Sequence, residues 1–218
     1  MLWVCCTEKD AYIGHRRQMR SELGISDDEV ALINLGRLAS EKNIDELLEF
    51  YKQAKEENSL LKFIIVGGGP AKEALEERAR ELEIDDSVVF VGMVPPTEVG
   101  KYYKLGDIFV SASTSETQGL TYIEAMANGL PLVCRYDTCL DDVLIDGENG
   151  YIYRTKEEFL SAIQKLAENP VQRVEFGSNG KNKASEYDKA IFAERVEAVY
   201  KSAIAQKAEK EKTKAGKA

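Results

Sequence analysis

Six short runs of the chain are apolar at nearly every position: Val30–Gly36, Lys62–Gly69, Ser87–Gly92, Asp107–Ser113, Leu130–Arg135 and Gly150–Arg154. Between them lie stretches whose apolar residues recur at helical spacing. Asn43–Asn58 places Ile44, Leu47, Leu48 and Tyr51 on one face. Pro70–Ile84 reads as a helix with Pro70 at its first position, where a missing N–H costs nothing. A short helix is expected from Thr97. Another is expected from near Gly119 or Leu120, with Leu120, Ile123 and Ala127 turned to the core. Strands that are apolar throughout, each separated by a helix, describe a parallel sheet covered on both faces. The fold class is therefore α/β: a doubly wound, Rossmann-like parallel sheet of about six strands with additional C-terminal helices.

The flanks are organised differently. Residues 1–27 read as an N-terminal arm with a short basic helix, His15–Ile25, that has no evident place in a six-stranded sheet. Residues 28–188 form the Rossmann-like domain, 189–206 a final helix and 207–218 a disordered tail. The final helix carries an apolar stripe of Ile191, Phe192, Val196, Val199 and Ile204. Part of it is expected to pack on its own domain, and any exposed remainder would favour self-association. The tail has five lysines against two glutamates from Lys207 to Lys217. It could touch an anionic membrane, but mixed signs weaken the pull, and a solubilising terminus is the better reading.

Composition narrows the function. The 218 residues are 44% hydrophobic and carry a formal net charge of -9. That acidity argues against sequence-independent nucleic-acid binding, which needs clustered Lys and Arg. The four cysteines, Cys5, Cys6, Cys134 and Cys139, lack metal-site spacing, and His15 is the single histidine. Neither a zinc site nor a disulfide framework is expected, which points to a reducing cytoplasm. The opening "MLWVCC" is too short for a signal-peptide core or a membrane span.

In a doubly wound sheet the ligand lies at the carboxyl ends of the strands, and four features fall there. Arg37 and Lys42, after the first strand, suit a diphosphate: Arg offers a fork of donors and Lys a compact charge. A solvated surface pair is an equal alternative on those residues alone. The run "VGGGP" fails as a dinucleotide fingerprint, because position 72 is Lys72 rather than glycine. Gly67 is expected simply to make a tight turn, while Gly68 and Gly69 could approach a ligand. Met93 and Val94, after the third strand, could border a base. Last comes "SETQGLTYIEAMANGLP" (Ser115–Pro131), which puts Glu116 ahead of a helix terminus and Glu124 one turn inside it. Free N–H groups at Gly119, Leu120 and Thr121 would attract an anion, and the carboxylates could accept bonds from paired sugar hydroxyls. Alternatively, Glu116 caps the helix and Glu124 is merely solvated.

These four features, in this order, resemble the donor-binding domain of GT-B-fold retaining glycosyltransferases of family 4, also called group 1, from about His15 to the final helices. The most specific element is "SETQGLTYIEAMANGLPLV", which is similar to the family's E-x7-E motif; "LGRLASEKNIDELLEF" is next. The resemblance implies that Arg37 and Lys42 hold a diphosphate and that the backbone at Gly119, Leu120 and Thr121 holds its distal phosphate. It further implies that Glu124 takes ribose hydroxyls, Glu116 takes donor-sugar hydroxyls, and Met93 and Val94 border the base, with Gly68 and Gly69 the glycines free to approach the donor. The donor it implies is a UDP-sugar, with no metal required; the chain has no D-x-D triplet.

Gln118 stands where the family commonly has an aromatic, a feature that resembles a branch with diacylglycerol glucosyltransferases of Gram-positive bacteria, with which capsule-type enzymes overlap. UDP-glucose and a lipid or saccharide acceptor follow as expectations, with the enzyme cytoplasmic and peripheral at the inner membrane face. Enzymes of this fold have an amino-terminal acceptor domain, which this chain would have to find in a missing domain or a second chain, so that alone it would transfer sugar weakly or not at all. A non-catalytic nucleotide-sugar-binding or regulatory module and a GT-B sugar-nucleotide epimerase fragment remain alternatives; a dinucleotide oxidoreductase is more distant.

Overall fold

The computed structural model describes residues 11–116, 119–188, 191, 193 and 196–204. Gln118, Phe192 and the tail 207–218 lie outside the described residues. Six parallel strands, β1 (Val30–Leu35), β2 (Leu61–Val66), β3 (Val88–Gly92), β4 (Ile108–Ser111), β5 (Leu132–Arg135) and β6 (Gly150–Tyr153), form one sheet in the order β3-β2-β1-β4-β5-β6. The expected doubly wound sheet is present, each strand lying within two residues of its expected start.

Alternation along the strands builds two cores. Leu32, Phe63, Ile65, Val110 and Val133 face one layer, where α2 (Ile44–Glu57), α3 (Lys72–Glu81) and α6 (Lys156–Glu168) cover them. Ala31, Ile33, Ile64, Val66, Phe109 and Leu132 face the other, under α4 (Val99–Tyr103) and α5 (Leu120–Ala127). Because both faces are covered, β2 is buried from Phe63 to Val66, and period-2 alternation disappears from its sequence. The helix α7 (Pro170–Ser185) serves both layers: Phe176 joins the first core and Ala184 the second. Its backbone comes so close to α5's following turn that a Cβ on Gly177 would meet Gly129 O at 2.2 Å.

Two expectations change in detail. Pro70 does not open α3. It lies in a turn two residues earlier, because Ala71 N–H donates to Leu38 O at 3.0 Å and delays the helix. The buried face of α5 is Tyr122, Ile123, Ala125 and Met126, whereas Leu120 is 38% exposed and Ala127 only partly buried. In so short a helix, the phase is set by where the first turn starts, and Gly119 starts it in the left-handed region at φ 58.

The basic N-terminal helix has a place. Residues Ala11–Glu22 form α1, which docks on the amino edge of the sheet. Arg20, 1% exposed, donates to Leu105 O (3.0 Å), Asp107 Oδ2 (3.0 Å), Ser26 O (2.9 Å) and Glu29 O (2.6 Å). Arg16 adds Lys104 O (2.6 Å) and Asp107 Oδ1 (2.8 Å). At the other terminus, residues 196–204 are helical. There Val199 and Ile204 of the apolar stripe are about two-thirds exposed, at 69% and 68%.

Candidate functional site

The strand order reverses between β1 and β4. Connections leave these two neighbours in opposite directions and open a crevice at their carboxyl ends, where open α/β sheets take ligands. Lys42 follows β1 and Glu116 follows β4, and the two meet there: Lys42 Nζ donates to Glu116 Oε1 across 74 residues of chain. Both side chains are largely buried, 23% and 14% exposed. Glu116 is thus an ion-pair partner rather than a helix cap; the N-cap of α5 is Gly119, which has no side-chain cap bond.

Asn43 follows Lys42 at the entry to α2. It takes the left-handed conformation (φ 46, ψ 42) between a 3-10 turn, Ser40–Lys42, and α2. Asn tolerates that region better than most residues. Its Nδ2 donates to Ala112 O at 3.1 Å, tying the loop after β1 to the end of β4. Arg37 is not part of the Lys42–Glu116 pair. Its side chain is 68% exposed, with Glu41 at 4.0 Å.

Helix α5 points its amino terminus at the same crevice. The first intrahelical donor is Tyr122 N, to Gly119 O at 3.0 Å, so the amides of Leu120 and Thr121 lie ahead of the helical ladder. Glu124 is half-buried and accepts from Tyr103 Oη at 3.0 Å. Burial raises its carboxyl above the usual range, and the Tyr103 bond only partly offsets this. Tyr103, fully buried, is raised well above an ordinary phenol by burial and by Glu124. Glu124 is therefore a held, partly desolvated acceptor and not a solvated surface charge.

The glycines divide by cause. A Cβ on Gly67 would meet Gly36 O at 1.8 Å, and one on Gly69 would meet Leu38 O at 2.2 Å. Both glycines, at φ 142 and φ 156, let the ends of β1 and β2 touch backbone to backbone. The side chain of Met93, itself 85% exposed, covers Gly68, its Cγ 2.5 Å from where a Cβ would stand. Val94 is partly buried against the second core.

The loop after β5 supplies residues that the sequence reading passed over. Asp137 accepts the amide of Cys139 at 2.9 Å, and this bond chiefly holds its carboxyl below the usual range, with the Glu116 amide and the Lys42 charge helping. Burial and the neighbouring Asp137 push the Cys139 thiol up to about 12, so it is an unreactive thiol near neutrality. Arg135 pairs with Glu46 of α2, and Tyr153 Oη reaches the same carboxylate at 3.4 Å and Ser111 O at 3.2 Å. The Ser113 hydroxyl, buried just past β4, has no hydrogen-bond partner among the described residues. The rule that selected Lys42 and Glu116, position at a carboxyl end, would also have selected Arg135 and Asp137.

Among the described residues no group of three or more His, Cys, Asp or Glu is arranged to hold a metal ion, and no helix is long and apolar enough to cross a membrane. The sequence model of the family described as "Glycosyl transferases group 1" matches residues 15–183. The chain belongs to that family. This group 1 glycosyltransferase chain is 42% identical over 147 residues to an alpha-monoglucosyldiacylglycerol synthase of Streptococcus pneumoniae, covering 67% of this chain and 33% of that protein. It is 34% identical over 193 residues to the Acholeplasma laidlawii protein of the same name, covering 88% and 48%. A solved structure of a mutant of S. aureus TarM, in complex with Fondaparinux, alpha-GlcNAc-glycerol and UDP, superposes with a TM-score of 0.72 at 26% identity, covering 78% of this chain and 35% of that one. The chain thus spans a third to a half of the length of these three proteins, and within that span the GT-B half-domain fold is the one expected.

Proposed function

We propose that this chain is the nucleotide-sugar-binding half of a retaining hexosyltransferase that uses a UDP-hexose. The observation that carries the proposal is the meeting of Lys42 and Glu116 over the switch point, with the terminus of α5 and the held Glu124 beside them. In this reading Lys42 and Arg37 take the diphosphate, and the amides at Gly119, Leu120 and Thr121 take its distal phosphate. Glu124 accepts the ribose hydroxyls and Glu116 the hydroxyls of the sugar. Gly68, Gly69, Met93 and Val94 border the rest of the nucleotide. The UDP held by the TarM structure supports the nucleotide, and the names of the two synthases support a lipid acceptor.

The chemistry follows from charge. Cleaving the bond from sugar to diphosphate concentrates negative charge on the leaving group. Cations and a helix terminus aimed at that charge stabilise the transition state more than the ground state. This proposal requires no metal. The acceptor would be held by an amino-terminal domain or a second chain, and the 218 residues alone would transfer sugar poorly. The exposed Val199 and Ile204 offer one surface for such a partner or for self-association. A strict monomer by light scattering at high concentration would exclude the latter.

Calorimetric titration with UDP, UDP-glucose, UDP-galactose, GDP-mannose and NAD tests the reading. UDP should bind, one UDP-hexose should bind more tightly than UDP, and NAD should not bind. A chain that takes NAD and ignores UDP would sink it.

A further inference from the structure

The proposed function sends Lys42 and Glu116 to different parts of one ligand, yet in the structure they are each other's partner. A phosphate oxygen requires the ammonium, whereas a sugar hydroxyl requires the carboxylate. While the two are bonded together, neither is fully available. The pair is mostly buried, so water and salt weaken it less than they weaken a surface pair. The neighbouring acid is differently placed: Asp137 feels the Lys42 charge, but its Oδ1 accepts the Cys139 amide.

We propose that the Lys42–Glu116 pair is a latch that makes recognition of the donor sugar conditional on the diphosphate. A diphosphate takes the Lys42 ammonium; Glu116, released from it, turns its carboxylate to the sugar hydroxyls. The device selects sugars that carry a diphosphate over free sugars, because a free sugar offers nothing that can replace Glu116 on Lys42. It rests on the nucleotide-sugar reading above and adds a consequence that the reading lacks: Glu116 competes with the phosphates for one cation.

The test is a double-mutant cycle read by titration with UDP and UDP-glucose. The four proteins are the parent, Glu116→Gln, Lys42→Met and the double variant, each checked to be folded at the titration temperature by its cooperative unfolding transition. Glu116→Gln should bind UDP about threefold or more tightly than the parent, since no ion pair has to be broken. The same variant should lose the advantage of UDP-glucose over UDP. In the Lys42→Met background, Glu116→Gln should leave UDP affinity unchanged. Glu116→Ala repeats the arm without a new amide that could bond the ligand.

If the parent binds UDP but Glu116→Gln binds it no more tightly, the latch is wrong and the nucleotide-sugar reading stands. If Glu116→Gln tightens UDP equally in both backgrounds, plain repulsion between carboxylate and phosphate is at work, and the latch is again wrong. A parent that binds no UDP removes the reading and the latch together.

Discussion

The two edges of the sheet hold similar charges to opposite ends. At the amino edge Arg20 is almost fully buried and its guanidinium donates to three carbonyls and to Asp107. Asp107 in turn accepts from Arg16 and from the Ala31 amide. At the carboxyl edge Lys42 is bonded to Glu116, and the two side chains are 23% and 14% exposed. The network at the amino edge is nearly filled, with Arg20 Nε its one buried atom lacking a partner among the described residues, so it offers a ligand little, and removing one member leaves buried groups unpaired. A pair at the rim of a crevice can exchange its partner. Charge at a site says little about function until the number and permanence of its partners are counted.

That contrast can be broken most forcefully at Arg20. Arg20→Met should lower the unfolding free energy by about 3–5 kcal/mol, because three carbonyls and part of Asp107 lose their donor. Denaturant titration measures it; a loss under about 1 kcal/mol would mean that the amino edge is no more saturated than a surface pair. Lys42→Met should do the reverse, weakening UDP binding by about tenfold to a hundredfold, as expected for a charge-assisted contact to phosphate, while costing less stability than Arg20→Met because it strands one carboxylate and not three carbonyls. A stability loss as large as that of Arg20→Met would make Lys42 structural.

Glu124→Gln should weaken UDP binding by about tenfold, through hydrogen bonds lost to a charged acceptor. Here pH sharpens the point. Because burial raises Glu124, it becomes protonated, as pH falls, before an exposed glutamate would. UDP affinity in the parent should therefore begin to fall at a pH above the ordinary carboxylate range, and in Glu124→Gln that limb should vanish. The smallest effect is expected at Glu41, whose contact with Arg37 is 4.0 Å long and exposed. Glu41→Gln should change stability by less than about 0.5 kcal/mol, as unfolding in low salt would show.

The parts legible in the sequence are those governed by local rules. The strands could be read because residues such as Ile64, Ile65 and Val66 are buried on both faces. Glu124 and Lys42 could be picked out because the carboxyl ends of strands are the ligand edge of such a sheet. What escaped depends on partners far away in sequence. The purpose of the basic helix rests on Asp107, 87 residues beyond Arg20. The start of α3 rests on Leu38, and the pairing of Glu116 with Lys42 spans 74 positions. The buried face of α5 was missed for a local reason, the left-handed start at Gly119.

The hydrogen bond from Tyr103 to Glu124 has a practical side. Tyr103 is sealed from solvent, and its hydroxyl lies 3.0 Å from the Glu124 carboxylate and 3.3 Å from Thr121 O. An ultraviolet chromophore is therefore wired to the first turn of α5. Any ligand that draws on that carboxylate also shifts the electronic surroundings of the phenol. If Glu124 takes the ribose as proposed, occupancy of the crevice should perturb the Tyr103 band, read at wavelengths beyond the absorption of the uracil ring.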